Sequence, residues 1–224
     1  MSGKIAMIFG ATGLIGGHLL RELIQDDRYE TLHIFSRRAM KSPSDKVVVH
    51  VVDFKKPESF RHLIKGDELY CSLGTTIRKA GSREDFLFVD YEIPTYLAAA
   101  ASKNKVGKFL IVTAMGADSK SFFFYNRVKG QIEAEVQKYP FEQVAILRPS
   151  LLLGEREEQR LGEDIGKLMM NIFSPLMIGP ARQYRAIAGK TVAKAMIAIA
   201  NSPQNQVIFS SDELHKLGDN QNAA

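Results

Sequence analysis

Apolar residues in this chain gather into short continuous runs, separated by stretches in which they recur every three or four positions. "KIAMIF" (4–9), "TLHIFS" (31–36), "KVVVHVV" (46–52), "ELYCSL" (68–73), "KFLIVT" (108–113) and "QVAILR" (143–148) read as strands. Several are apolar without alternation, the pattern of parallel strands covered on both faces. Helical spacing fills intervals at 14–25, 57–64, 84–103 and 125–138, and Pro94 predicts a kink or an entry turn inside the third. Strand and helix therefore alternate, which predicts an α/β fold: a doubly wound parallel sheet with right-handed crossovers. Beyond Arg148 the pattern loosens. "GEREEQRLGED" (154–164) reads as a charged loop or an exposed helix start, and "IGKLMMNIFSPLMIG" (165–179) is apolar and methionine-rich. "KTVAKAMIAIANS" (190–202) predicts a helix, "QVIFS" (206–210) a late strand, "SDELHKLG" (211–218) a short capped helix and "DNQNAA" a frayed end.

The first strand runs directly into "GATGLIGGHLLREL", with Gly10, Gly13 and Gly16 at steps of three. Leu14, Ile15, Leu19, Leu20, Leu23 and Ile24 then form an apolar helical face. In a strand–turn–helix of this kind the first glycine permits the tight turn. The second lets the backbone approach a pyrophosphate, and the third allows close helix–sheet packing. The helix N-terminus adds free N–H groups and a partial positive charge for the anion. This points to a Rossmann-type NAD(P)-binding turn. A glycine-rich turn without a ligand is the bland alternative, and the flanking strand and helix argue against it. The G-K-[ST] ending of a nucleoside-triphosphate loop is missing, which argues against ATP or GTP.

An acidic residue ending the second strand would accept the ribose 2′-OH of NAD. Ser36, Arg37 and Arg38 stand there instead. A guanidinium forks onto a 2′-phosphate, so the expected cofactor is NADP(H) rather than NAD(H), although two solvated arginines after a strand would read alike. Asp53 ends the third strand, where a carboxylate can accept from the adenine amino group or simply form a turn.

In "YNRVKGQIEAEVQKY" (125–139), Tyr125 and Lys129 stand four apart on the stripe that carries Val128, Ile132 and Val136. Arg127, Gln131, Ala134 and Lys138 mark the opposite face, where a merely solvating lysine belongs. Lys129 points with the core, where its charge needs a partner unless the side chain snorkels outward. An ammonium beside a phenol favours its ionised form, which suits Tyr125 to exchange a proton with a carbonyl oxygen. A hydroxyl is also expected to hold that carbonyl. Thr113, ending the fifth strand, stands at the carboxyl edge of the sheet, where such folds bind ligands. Ser119 and Ser121 on the following loop are its rivals.

Composition narrows the setting. The chain has 224 residues, 45% hydrophobic and 25% charged, ordinary for a globular domain. It has no run of eighteen apolar residues, so no membrane span is expected, and the strand and glycine turn at its start lead us to expect no signal peptide. Cys71 is the single cysteine, set in an apolar run. The expected setting is therefore a reducing, cytoplasmic one, with that thiol packed rather than reactive. The net charge of +5 is scattered, with small clusters at Arg37–Arg38, Lys55–Lys56 and Arg78–Lys79. That favours a small anionic ligand over nucleic acid, and no metal site is expected.

With these residues in hand, the chain resembles the short-chain dehydrogenase/reductase superfamily in its atypical branch. More closely, it looks like the Tat-interacting-protein-like oxidoreductases and their small bacterial relatives. "GATGLIGGHLL" (10–20), "SRR" (36–38), "VVDF" (51–54), "SLGTTIRKAGS" (72–82), "TAMGADSKSFFFYNRVKGQIEAEV" (113–136) and "LRPSLLLGER" (147–156) carry the resemblance. It implies Tyr125 as acid–base and Lys129 on the nicotinamide ribose. It implies Gly10 and Thr12, Gly13, Leu14, Ile15 and Gly16 along the pyrophosphate, and Arg37 and Arg38 on the 2′-phosphate. It also implies Leu73, Gly74 and Thr75 beside the nicotinamide half, with Pro149 and Ser150 near the carboxamide. There are two departures. Thr113, followed by Ala114, matches the superfamily's catalytic serine, and Asp90 matches an asparagine common on the helix before the fifth strand.

The leading expectation is an NADP(H)-dependent reductase of a carbonyl compound, built as one NAD(P)-binding domain over 1–224. Residues 150–224 are expected to form a small C-terminal lobe on the substrate side. The alternative is a nucleotide sensor in which NADP(H) occupancy controls binding to a protein partner. An isomerase using the same cofactor transiently has no sequence support of its own. Leu168, Met169, Met170, Ile172, Phe173, Leu176, Met177 and Ile178 suit an apolar substrate pocket, a core or a homo-oligomer interface alike.

Overall fold

The computed structural model of the chain describes residues 3–153, 184–203 and 205–219. Its central feature is a seven-stranded sheet of β1 (Lys4–Phe9), β2 (Tyr29–Ser36), β3 (Val47–Val51), β4 (Glu68–Cys71), β5 (Lys108–Val112), β6 (Gln143–Arg148) and β9 (Ile208–Ser210). The order is β3-β2-β1-β4-β5-β6-β9, and every neighbouring pair is parallel. The chain moves outward from β1 to β3, then crosses back to place β4 on the other side of β1. That reversal opens a crevice at the carboxyl ends of β1 and β4.

Both faces of the sheet are buried, which accounts for the unbroken apolar runs. Ala6 and Ile8 of β1 pack into one core with Leu19 and Leu23 of α1 (Leu14–Ile24) and Met196 of α6 (Gly189–Ala200). Met7 and Phe9 pack into the other with Leu97 of α4 (Ile93–Lys103) and Ile132 of α5 (Phe124–Val136).

The doubly wound parallel fold is as expected, and the departures are local. The helix expected over 57–64 is two short 3-10 turns, Pro57–Ser59 and Arg61–Leu63, because so few residues gain little from helical propagation. The helix expected over 84–103 is α3 (Arg83–Leu87), a π-helical segment Phe88–Glu92, then α4. Pro94 has no N–H to return to the Asp90 carbonyl one turn back, and the ladder widens there. A short helix, α2 (Ile77–Ala80), follows the fourth strand, capped by Thr76. A two-residue parallel pair, β7 (Leu152–Leu153) with β8 (Ile187–Ala188), is too brief to show a period in sequence. Of the region 150–224, β9 is the outer strand of the sheet beside β6. Gly189 of α6 packs directly on Leu14 of α1, and α7 (Ser211–Asp219) follows β9. Residues 154–183, with the methionine-rich stretch, and the last five lie outside the described residues.

The amino edge of the sheet is closed by a buried carboxylate. Glu68 accepts from the Tyr29 hydroxyl at 2.7 Å, the Tyr70 hydroxyl at 2.6 Å and the Lys4 ammonium at 2.8 Å. Asn201 donates to the Tyr29 oxygen at 2.7 Å and accepts from Lys4 at 2.7 Å, tying the end of α6 to β1 and β2. Burial first, then the Glu68 charge, pushes the Tyr29 hydroxyl above the usual phenol range, so it stays a donor. Glu68→Ala leaves these groups unmatched and is expected to cost about 3–5 kcal/mol in denaturant titration. A loss under about 1 kcal/mol would show that the phenols and lysine find other partners.

Candidate active site

The crevice begins at the glycine turn. Gly10 has φ +93°, and a Cβ there would lie 2.8 Å from the Ser72 backbone. A Cβ on Gly16 would lie 2.1 Å from the Gly10 carbonyl oxygen, so helix and strand touch through bare backbone. Gly13 donates to that same oxygen at 2.9 Å and caps α1 without any side-chain hydrogen bond. No acid stands in the first turn of α1, and Thr12 and Gly13 are exposed. Leu14 is half-buried, and Ile15 and Gly16 are buried. The turn presents an uncapped helix N-terminus to the crevice, which suits an anion.

Arg37 and Arg38 are exposed just past the carboxyl end of β2, where the Ser36 hydroxyl accepts from the Arg38 backbone N–H at 3.2 Å. Asp53 lies past the end of β3 and forms a turn. Its carboxylate accepts from the Lys55 N–H at 2.9 Å and its carbonyl from the Lys56 N–H at 2.9 Å. The side chain is exposed toward the same edge.

On α5, Val128, Ile132 and Val136 are buried while Gln131 and Ala134 are exposed, as is Lys138 just past its end. Lys129 falls on the buried side and is 4% exposed. Its ammonium does not snorkel: it pairs with the Asp90 carboxylate at 2.7 Å. Asp90, itself 1% exposed, sits inside the π-helical segment, and its other oxygen accepts the Thr75 N–H at 2.9 Å. The loop from Leu73 to Thr75 therefore rests on this pair, and a Cβ on Gly74 would lie 3.6 Å from the Lys129 nitrogen. Half-buried Tyr125 lies one turn away, its ring centroid 6.0 Å from that nitrogen and 5.5 Å from the Phe86 ring. Burial pushes the Lys129 ammonium down, but Asp90 and then Tyr125 outweigh it, and the net direction is up. Burial pushes the Asp90 carboxyl up, and Lys129 offsets only part of this. Cys71 is fully buried and its thiol is pushed up to about 12, so it is inert at neutral pH.

Arg127, expected on the solvent face, is half-buried: its guanidinium lies over Phe124 and donates to the Ser121 carbonyl at 2.9 Å. Thr113 is not brought to Tyr125 by any hydrogen bond. Its hydroxyl proton goes to the buried Glu133 carboxylate at 2.6 Å, which also accepts from Arg148 at 3.0 Å. Ser121 accepts from the Phe123 N–H at 3.2 Å, and Ser119 is exposed beside α5, its backbone pressed against Gly130. Pro149 is buried. Ser150 donates to the Arg185 carbonyl and accepts from Ser211 at 3.0 Å, which fastens the end of β6 to the returning chain. Sequence reasoning did not single out Glu133, although it stands four residues after Lys129 on the same buried side. Helical phase marks Glu133 in the same way that it marks Lys129.

A profile described as NAD(P)H-binding matches residues 10–171. The chain belongs to this family. Among its relatives is the mitochondrial protein FMP52 of Debaryomyces hansenii, 34% identical over 206 residues, covering 90% of this chain and 89% of the relative. Protein HTATIP2 of Rattus norvegicus is 32% identical over 207 residues, covering 91% and 84%. The resemblance to the Tat-interacting-protein-like oxidoreductases thus holds across the chain. Among solved structures, ElxO with NADP bound has a TM-score of 0.71 at 16% identity, covering 96% of this chain and 99% of that one. A UDP-N-acetylglucosamine 4-epimerase from Methanobrevibacter ruminantium has a TM-score of 0.70 at 16% identity, covering 96% and 81%. These two likenesses show the fold.

Within the family turn, the two adjacent glycines of α1 make a sharp contrast. A Cβ on Gly17 would lie 3.5 Å from the Ala11 carbonyl, an ordinary contact. Gly17→Ala is expected to be neutral or to stabilise by up to about 1 kcal/mol through helix propensity. Gly16→Ala must push α1 off β1 and is expected to cost about 1–3 kcal/mol. Urea denaturation of both variants checks the order, and equal effects would show that the helix–strand contact is not limiting.

Proposed function

We propose that this protein is an NADP(H)-dependent oxidoreductase that reduces a carbonyl compound, with Tyr125 as the proton donor. The observation that carries the reading is Lys129, a charged side chain held out of water beneath the Gly74 loop and on the same side of α5 as Tyr125. The residues present fit a dinucleotide. The glycine turn offers a cradle that a Cβ would fill and an uncapped helix end. In this reading Thr12 to Gly16 hold the pyrophosphate, Ser36, Arg37 and Arg38 the 2′-phosphate side, and Asp53 the adenine. Lys129 holds the nicotinamide ribose, Leu73 to Thr75 line that half, and Pro149 and Ser150 flank the carboxamide. When bound, the cofactor supplies the hydride. Tyr125 gives its phenolic proton to the carbonyl oxygen, and Lys129 favours the phenolate left behind. Thr113 acts here by holding Glu133 and the end of β5 rather than by touching substrate.

A second reading, a nucleotide sensor that passes NADP(H) occupancy to a protein partner, draws support from the Thr113 hydroxyl being given to Glu133. We place the protein in the cytosol on the strength of its single buried thiol. The fungal relatives bear the word mitochondrial in their names, so cell fractionation is the check.

NADPH is expected to bind at least tenfold more tightly than NADH, about 1.4 kcal/mol. Replacing both Arg37 and Arg38 by alanine is expected to remove that preference and leave NADH affinity nearly unchanged. Equal affinities of the unaltered protein in calorimetry would overturn the assignment of the arginines.

Tyr125→Phe keeps the ring and is expected to leave the fold and NADPH affinity intact. Turnover in a carbonyl panel is expected to fall by roughly 10² or more. Full reductase activity in that variant would remove Tyr125 from the chemistry. Tight NADPH binding with no turnover in the unaltered protein, together with a nucleotide-dependent partner, would favour the sensor.

A further inference from the structure

The lysine of the proposed site is matched by an acid from another element. Lys129 and Asp90 are 4% and 1% exposed and 2.7 Å apart. Two further titratable groups face the ammonium: Tyr125 from α5 and the Cys71 thiol from β4. Burial keeps the thiol protonated at neutral pH, and Asp90 is the carboxylate within ion-pairing distance of the ammonium. Asp90 is thus the anion that balances this cation. Its other oxygen is occupied as well, by the Thr75 N–H at 2.9 Å. One carboxylate therefore joins the charged lysine of α5 to the loop after β4.

We propose that Asp90 is a positioning residue: the counter-ion that keeps Lys129 charged in its dry pocket and fastens that charge to the Leu73–Thr75 loop. An ammonium out of water with no anion discharges as pH rises, because burial penalises only its charged form. With Asp90 present the lysine stays a cation across the neutral range and can serve as a fixed donor to a ribose hydroxyl. Without Asp90 the same lysine becomes a neutral amine near physiological pH, and its contribution becomes pH-dependent. Only the cofactor readout below rests on the function proposed above.

The test is Asp90→Asn, which keeps the size and one acceptor for Thr75 but removes the charge. In cofactor-free protein, the lysine ε-carbon resonance that disappears in Lys129→Met identifies Lys129. In the unaltered protein its midpoint is expected to lie above that of an ordinary lysine. In Asp90→Asn its midpoint is expected to fall by about three units or more, the scale for a fully buried lysine. An unchanged midpoint overturns the proposal.

NADPH affinity gives a second readout. It is expected to be flat from about pH 6 to pH 9 in the unaltered protein and to fall at least tenfold over that range in Asp90→Asn. In Lys129→Met it is expected to be weak and flat. A purely structural loss would lower affinity evenly at all pH values, which also overturns the proposal. If the unaltered protein binds no NADPH, the proposed function fails, and the lysine titration still decides the role of Asp90. If Asp90→Asn does not fold, the double variant with Lys129→Met is expected to fold, since the unmatched charge is then gone. A double variant equally unfolded counts against the proposal.

Discussion

A cation shut away from water must be matched where it stands, and in this protein that requirement falls on Lys129. The helical stripe of α5 drives the lysine inward with Val128, Ile132 and Val136, so the matching anion has to come from another element. It comes from the widened turn of Phe88–Glu92. Pro94 cannot return a hydrogen bond to Asp90, and the helix opens at the residue whose carboxylate reaches the ammonium. The same carboxylate holds the Thr75 N–H, which settles the loop after β4 against α5. A missing backbone donor, a π-helical turn, an ion pair and a loop position thus form one causal chain across the middle of the crevice.

The two edges of the sheet solve opposite problems. At the amino edge Glu68 is saturated by Lys4, Tyr29 and Tyr70, and every partner is part of the fold. Glu133 is saturated in the same way by Thr113 and Arg148 beside β5 and β6. Fully matched groups of this kind rigidify a core and leave nothing to offer a ligand. The carboxyl edge near β1 and β4 differs: exposed Thr12 and Gly13 follow β1, exposed Arg37 and Arg38 follow β2, and half-buried Tyr125 lies beside Lys129. Polar capacity is used up where the protein needs stability and left open where the sheet reverses its strand order.

The sheet was legible because its strands are covered on both faces. "KIAMIF" and "QVAILR" begin and end where their apolar runs do. Boundaries slipped where one face meets solvent or a turn begins: β2 starts earlier, at Tyr29, and β4 stops at Cys71, before the polar Ser72. Single-turn helices and two-residue strands contain barely one period, too little for a pattern to repeat, so α2, β7 and β8 left no signal. At the site, helical phase placed Lys129 correctly, because period and burial are properties of one segment. Its partner was legible only as an unusual Asp90, since pairing of α5 with a segment some forty residues earlier is a tertiary fact. Thr113 shows the same limit. Its position at the end of β5 was readable, but the direction of one hydroxyl depends on Glu133, which comes near only in the folded chain.

The glycine turn shows which parts of a motif report on a ligand and which on packing. Gly10 and Gly16 are required by backbone contacts with Ser72 and with each other, and would be required in a turn that bound nothing. Gly13 is different. It is exposed, and a Cβ there would meet only the Gly10 oxygen, at 3.2 Å. It also occupies the N-cap of α1, where serine, threonine, aspartate or asparagine would hold a free N–H and strengthen the helix. A helix that forgoes this cap keeps its first N–H groups and the space before them open, and no acid in its first turn competes for them. The 3.2 Å approach to the Gly10 oxygen is tight but calls for a shift of only a few tenths of an ångström, so packing by itself is a weak reason for that choice. An anion from outside the chain would be a stronger one, and in the proposed NADP(H) reading Arg37 and Arg38 would meet a second anion at this edge.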